Sequence, residues 1–309
     1  MPADKIPSHH GVKQEAKGSY PNPTLKLLIE RRSCRNFTGK KIPPRIMDHI
    51  LKAGVHAATG GNLQPYSIIK IENAGTNKKL AEMCHQPFIG QAPVNLLFCI
   101  DWRRLKRWAR LGDAPFTANN SFRHFWISIQ DTMICAQNIC TAADSLGLGS
   151  VYIGTVMEFF PSLKKMFKLP RGVFPVVLLT VGYPKARPKP RMKLPPGAVV
   201  HKEKYSDLTD AVLERVYAEK YPDVRIEITP DRLKRFKDVC LKVGGRKFAD
   251  KCLARAKKQG YISPVQRYFG LHYVADGMPT GNSRFLKQFE NFGFGWFRDY
   301  KPRRGKLPR

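Results

Sequence analysis

No run in the 309-residue chain reaches the roughly 18 consecutive apolar residues that a membrane-crossing helix needs. Residues Met1 to Lys17 are polar and lack the apolar centre of a secretory leader. The seven cysteines are odd in number and scattered, which argues against a disulfide framework and for a reducing compartment; a cytoplasmic location is expected. There is no Cys-x2-Cys pair to ligate an iron–sulfur cluster. Cys135 and Cys140 lie in an apolar helical pattern and read as buried thiols, so no metal site is expected. No Gly-x-Gly-x-x-Gly follows a strand pattern, which leaves a Rossmann site without support. Acidic residues are also scarce, with 24 Asp/Glu against 54 Lys/Arg and a net charge of +30.

That charge is spread evenly. Residues 205–309 carry 23 Lys/Arg and 12 Asp/Glu, so their share of the excess matches their share of the chain. A concentrated basic tail would suggest a nucleic-acid arm, whereas this distribution suits a weak attraction to anionic surfaces and no specific nucleic acid.

What is present is enough for a core, with 42% apolar residues. Leu25 to Ile29 begin a short helix that ends near Arg32. Pro43 and Pro44 open another, with Ile46, Ile50, Leu51 and Val55 at helical spacing. Tyr66–Ile71, Val94–Ile100, Val151–Ile153 and Val176–Val181 read as strands. Ser121 to Leu146 reads as one long helix, apolar on more than one side and therefore in need of cover on both. Strands mixed with long helices give an α+β class. Asp207–Tyr217 and Asp231–Lys258 read as amphipathic helices, and the stretch after Gly260 is too aromatic to be a disordered tail. Residues around Arg303, Arg304 and Lys306 are expected to be disordered.

Two motifs carry chemistry. Arg31-Arg32-Ser33-Cys34-Arg35-Asn36-Phe37 places three guanidiniums and a hydroxyl within five positions, a set suited to gripping a phosphate. Gly61-Asn62-Leu63-Gln64-Pro65 offers two amides that can donate and accept along the polar edge of a planar heterocycle. Ala142 to Gly154, containing Gly147-Leu148-Gly149, reads as a helix end feeding a strand. Gln91-Ala92-Pro93 leads a central strand, and Phe174 to Pro184 forms a last strand with its exit turn.

In this order the segments resemble the nitroreductase family of FMN-dependent oxidoreductases over residues 25–200. The resemblance implies a nitroreductase-like α+β fold in which a central mixed or antiparallel sheet is flanked by helices, as a homodimer with the long helix in its core. Three parts are expected: a polar arm at 1–22, an FMN-binding domain at 23–204, and a helical, aromatic-rich extension at 205–309 with no family counterpart. Arg31, Arg32, Ser33 and Arg35 would hold the FMN phosphate and ribityl end. Arg191 and Lys193 would add a second grip, although a solvated basic linker explains them equally well. Asn62 and Gln64 would meet the flavin of the other subunit, and the backbone at Ile153 and Gly154 would approach its ring. NADH or NADPH would donate electrons to a small acceptor such as a nitroaromatic or quinone. The chemistry would occur on the flavin, so no catalytic side chain is assigned.

Two other functions compete. Reductive dehalogenation or dehydrogenation is possible on the same fold, and binding to nucleic acid or an anionic membrane is suggested by the +30 charge. The run Trp102 to Arg110 reads best as an amphipathic surface helix burying Trp102, Leu105 and Trp108. An anionic-surface patch or a lid at the pocket mouth are the alternatives.

Overall fold

The structure, a computed structural model, describes residues 20–189 and 191–301. Most of the 1–22 arm and the basic end at Arg303, Arg304 and Lys306 therefore lie outside the described residues. Contacts divide the chain into two units, one comprising residues 20–190 and 284–309 and the other residues 1–19 and 191–283.

In the first unit, α1 (Pro23–Glu30) is capped by Asn22, whose side chain accepts the Leu25 amide, and Pro23 occupies the first helical position. Next come α2 (Pro44–Val55), β1 (Tyr66–Ile71), α3 (Ala74–Met83), α4 (Phe88–Gln91) and β2 (Val94–Asp101). They are followed by α5 (Trp102–Leu111), α6 (Phe122–Ser145), β3 (Gly149–Ile153), α7 (Phe160–Met166) and β4 (Val173–Gly182). The sheet order is β1-β2-β4-β3 with every neighbour antiparallel. The expected mixed or antiparallel sheet is thus antiparallel.

All of β2 is buried, which explains its unbroken apolar run, because both faces of the sheet are covered. On one face, Met47 and Ile50 of α2 and Ile139 of α6 pack with Phe98 and Leu179. On the other, Leu97, Ile153, Phe160, Phe174 and Leu178 form a second core. The expected cover on both sides of α6 is incomplete within one chain: Phe122, Trp126 and Ile134 remain exposed. Helix α5 departs from expectation in one residue. Trp102 and Leu105 are buried, but Trp108 is 65% exposed.

The second unit holds α8 (Asp210–Lys220), α9 (Pro230–Gln259) and α10 (Pro264–Arg267). Helix α9 breaks at Gly245, where φ is 73° and ψ −173°, a conformation open to glycine but not to residues with a Cβ. A small core of Phe236, Cys240 and Ala249 holds this unit together.

The chain then returns to the first unit. From Arg284, α11 (Asn282–Asn291) and the residues after it pack on the β4 side of the sheet. Phe289 stacks on Phe174 with ring centroids 4.6 Å apart, and Phe292 and Phe294 are buried in the same core. The Gly172 amide donates to Phe292 O at 2.7 Å. The expected single extension at 205–309 is therefore split by its contacts. Its aromatic end completes the first unit's core because these rings find apolar cover there. Among the described residues no helix is long and apolar enough to cross a membrane.

Candidate functional site

Arg31 to Phe37 forms an extended strip at one edge of the first unit. Ser33 makes a parallel bridge to Ser150 at the start of β3, and the Cys34 amide donates to Ser150 O at 2.9 Å. Farther along, Phe37 pairs with Pro184, and the Lys185 amide donates to Asn36 O at 3.0 Å. The strip thus lies between the start of β3 and the exit of β4. Gly149 makes this approach possible, because a Cβ there would stand 2.6 Å from Cys34 Cβ. The arginine motif, the Gly-Leu-Gly turn and the last strand, remote in sequence, meet at one place.

The side chains of the strip divide. Arg31 turns inward: its Nε lies 3.1 Å from Asp144 Oδ2, and its Nη2 donates to Ser150 Oγ at 3.1 Å and contacts Cys140 Sγ. Arg35 is exposed, while Arg32 and Ser33 are half-buried. The buried Nε of Arg32 has no hydrogen-bond partner among the described residues, a donor that an anion or hydroxyl would satisfy. Burial raises the Asp144 pKa, and the nearby Arg31 and Arg187 guanidiniums oppose that rise. Cys140 is likewise raised by burial and pulled back by Arg31.

The glycine–amide motif forms a tight turn from Gly60 to Asn62. Gly61, Asn62 and Gln64 all have positive φ, at 58°, 53° and 48°. Two non-glycine residues in this region store strain, a pattern that gathers at binding sites. The surroundings fix the turn. The Gly60 amide reaches both Asp131 oxygens, Gln64 Nε2 donates to Val55 O at 2.9 Å, and Arg104 Nη2 donates to the carbonyls of Gln64 and Tyr66. Asn62 is exposed. A cavity of about 640 Å³ opens beside the turn, lined by Leu63, Gln64, Tyr66, Lys70 and Arg104 among others. Tyr66 is pushed up to about 12, first by burial and then by Cys135.

Ile153 is buried at the end of β3 and Gly154 is exposed just beyond it. A Cβ on Gly154 would meet nothing within 4 Å, so this backbone faces open space that a flat ligand can occupy. Arg191 and Lys193 fall in the other unit, where both are exposed. The sequence reading missed Asp131, Asp144, Arg104 and Arg187. Asp144 alone carried a signal, as an acid just before the Gly-Leu-Gly turn. The arrangement offers cations and a hydroxyl for a phosphate, amides for a heterocycle edge, and exposed glycine backbone for a ring face.

Comparison with known proteins places the chain among relatives. A family model described as the nitroreductase family matches residues 28–183. The chain is 34% identical over 186 residues to an FMN reductase (NAD(P)H) of Bacillus subtilis, covering 60% of this chain and 75% of that protein. It is 32% identical over 195 residues to an oxygen-insensitive NADPH nitroreductase of Salmonella typhimurium, covering 63% and 79%. Among solved structures, a putative oxidoreductase from Bacteroides fragilis superposes with a TM-score of 0.71 at 27% identity, covering 87% of this chain and 99% of that one.

Proposed function

The chain belongs to the nitroreductase family, and from that premise we propose that it is an FMN-dependent oxidoreductase using NADH or NADPH to reduce a small acceptor such as a nitroaromatic or quinone. The observation that carries this reading is the Ser33–Ser150 pairing, which sets the arginine strip against the strand leading to Gly154. The fit to the cofactor rests on the unpartnered Arg32 Nε and the open space in front of Gly154.

When bound, FMN supplies the two-electron chemistry; the protein's part is to hold it, exclude water and admit substrates. Arg31, Arg32, Ser33 and Arg35 would hold its phosphate and ribityl end. Asn62 and Gln64 would take the polar edge of the ring system, and the backbone at Ile153–Gly154 would face the ring. No side chain is assigned an acid–base role.

The site is shared by two chains in a homodimer. Asp144, which holds Arg31, and Asp131, which holds the Gly60 turn, are 13 residues apart on α6. At 1.5 Å per residue these two anchors are spaced about 20 Å along the helix axis. That separation favours a phosphate half from one chain meeting Asn62 and Gln64 of the other. The exposed Phe122, Trp126 and Ile134 give α6 an apolar stripe for the partner to cover.

An absorption spectrum of the purified protein, followed by anaerobic titration with NADH and NADPH, tests the reading. Bound FMN bleached by one of these donors is expected. A colourless protein that binds no added FMN would refute it.

A further inference from the structure

Asp144 stands in the last turn of α6 with its side chain 3% exposed. Two guanidiniums converge on it from opposite sides: Arg31 Nε lies 3.1 Å from Oδ2, and Arg187 Nη1 lies 3.3 Å from Oδ1. Arg187 Nη2 also donates to Leu148 O at 3.2 Å, just past the helix end. Both cations sit where the helix dipole is negative, which favours them. Burying an ionised carboxylate is costly unless it is paired; here each oxygen lies within ion-pair distance of a guanidinium, Oδ1 accepting a hydrogen bond from Arg187 while Oδ2 faces Arg31 Nε without one.

The consequence for Arg31 is specific. Its Nε is ion-paired with Asp144 by proximity, without a hydrogen bond, and its Nη2 is bonded to Ser150 and Cys140. Its Nη1 forms no bond among the described residues. The guanidinium is held on one edge and free on the other. Arg187 leaves the chain just after β4, so the same carboxylate also ties the exit of that strand to the arginine strip.

We propose that Asp144 is the positioning residue of the phosphate site: it orients Arg31 so that the free Nη1 edge meets the FMN phosphate, while Arg187 anchors Asp144 from the other side. The trio keeps one net positive charge for the anion. This rests on the assignment of Arg31 to the phosphate in the preceding section.

The test compares FMN with riboflavin, which lacks the phosphate, binding to flavin-free full-length protein. D144N should lose FMN affinity by about tenfold while changing riboflavin affinity little. A purely structural defect would weaken both ligands alike, and that outcome overturns the proposal. In the R31A background D144N should have no further effect on FMN, because its action passes through Arg31. D144E should recover part of the loss. S150A removes a second acceptor from Arg31 with minimal change of volume, and should give a smaller loss of the same phosphate-selective kind. It decides the matter if D144N does not fold. Loss in R31A with none in D144N and S150A refutes the positioning role alone. If R31A itself binds FMN like wild type, the phosphate lies elsewhere, and the site assignment falls together with this proposal.

Discussion

Asp131 accepts the Gly60 amide on both carboxylate oxygens, at 3.1 and 3.2 Å, across 71 residues of sequence. This contact pins a turn with three left-handed residues to the middle of a long helix. Replacing Asp131 with Ala removes this charge-assisted hydrogen bond and should destabilise the first unit by about 1.5–3 kcal/mol. Urea denaturation with an unchanged slope would measure it.

The same carboxyl sets a pH dependence. Burial raises its pKa above the ordinary 3.8, and the Gly60 amide only partly offsets this. The folded chain therefore holds the proton more tightly than the unfolded chain. The resulting stability is fully present below the ordinary value and is lost as pH rises through the folded pKa. D131N abolishes this titration. Wild-type stability relative to D131N should grow as pH is lowered toward the ordinary 3.8 and level off below it. The opposite slope would mean that the hydrogen bonds outweigh burial.

Arg31→Ala and Arg35→Ala should each weaken FMN binding. A charge-assisted phosphate contact is worth about 1.5–3 kcal/mol, or about 10- to 150-fold in affinity. Arg35 is exposed, so its loss should be the more sensitive to salt. Fluorescence titration at two ionic strengths separates the two residues.

Gly149→Ala should disturb stability and flavin binding together. The new methyl would collide with Cys34 Cβ and Sγ, at 2.6 and 3.0 Å, and push the arginine strip away from β3. Overpacking of this kind costs about 1–3 kcal/mol. A variant of normal stability and normal FMN affinity would show that the strip is not held by this approach.

Sedimentation should give about twice the 35.2 kDa chain mass at micromolar concentration. Trp126→Glu with Ile134→Glu, placed on the exposed stripe of α6, should shift the protein toward monomer and release FMN. A monomer that keeps its flavin would argue against the shared site.

Much of the fold was legible in local pattern. Tyr66–Ile71 is bounded by Pro65 and a turn, and its observed ends match the reading. Strand β4 starts three residues before the expected Val176 and runs through Pro175. The structure accommodates it at a bulge: Phe98 pairs with Val177 and Cys99 with Pro175, leaving Val176 as the extra residue. In α5 the spacing of Trp102, Leu105 and Trp108 looked like one stripe. Steps of three residues drift around a helix, and Trp108 ends up about 120° from Trp102, off the buried face. The arginine and glycine–amide motifs were legible as residue types that suit a ligand. The carboxylates that hold them were not. Asp144 meets Arg31 and Arg187 only through the fold, and nothing in the spacing foretells such a pairing.

The stacking of Phe289 on Phe174 also has a temporal side. The two rings are separated by 115 residues, including residues 191–283 of the second unit. At ribosomal rates of about 5–20 residues per second, Phe174 is made about 6–23 s before its partner. During that interval the β4 side of the sheet lacks Phe289, Phe292 and Phe294, and its apolar surface is open to solvent and to other chains. The emerging protein passes through a sticky stage whose length is set by translation speed. Slowing synthesis across residues 191–283 should raise aggregation without altering the finished molecule.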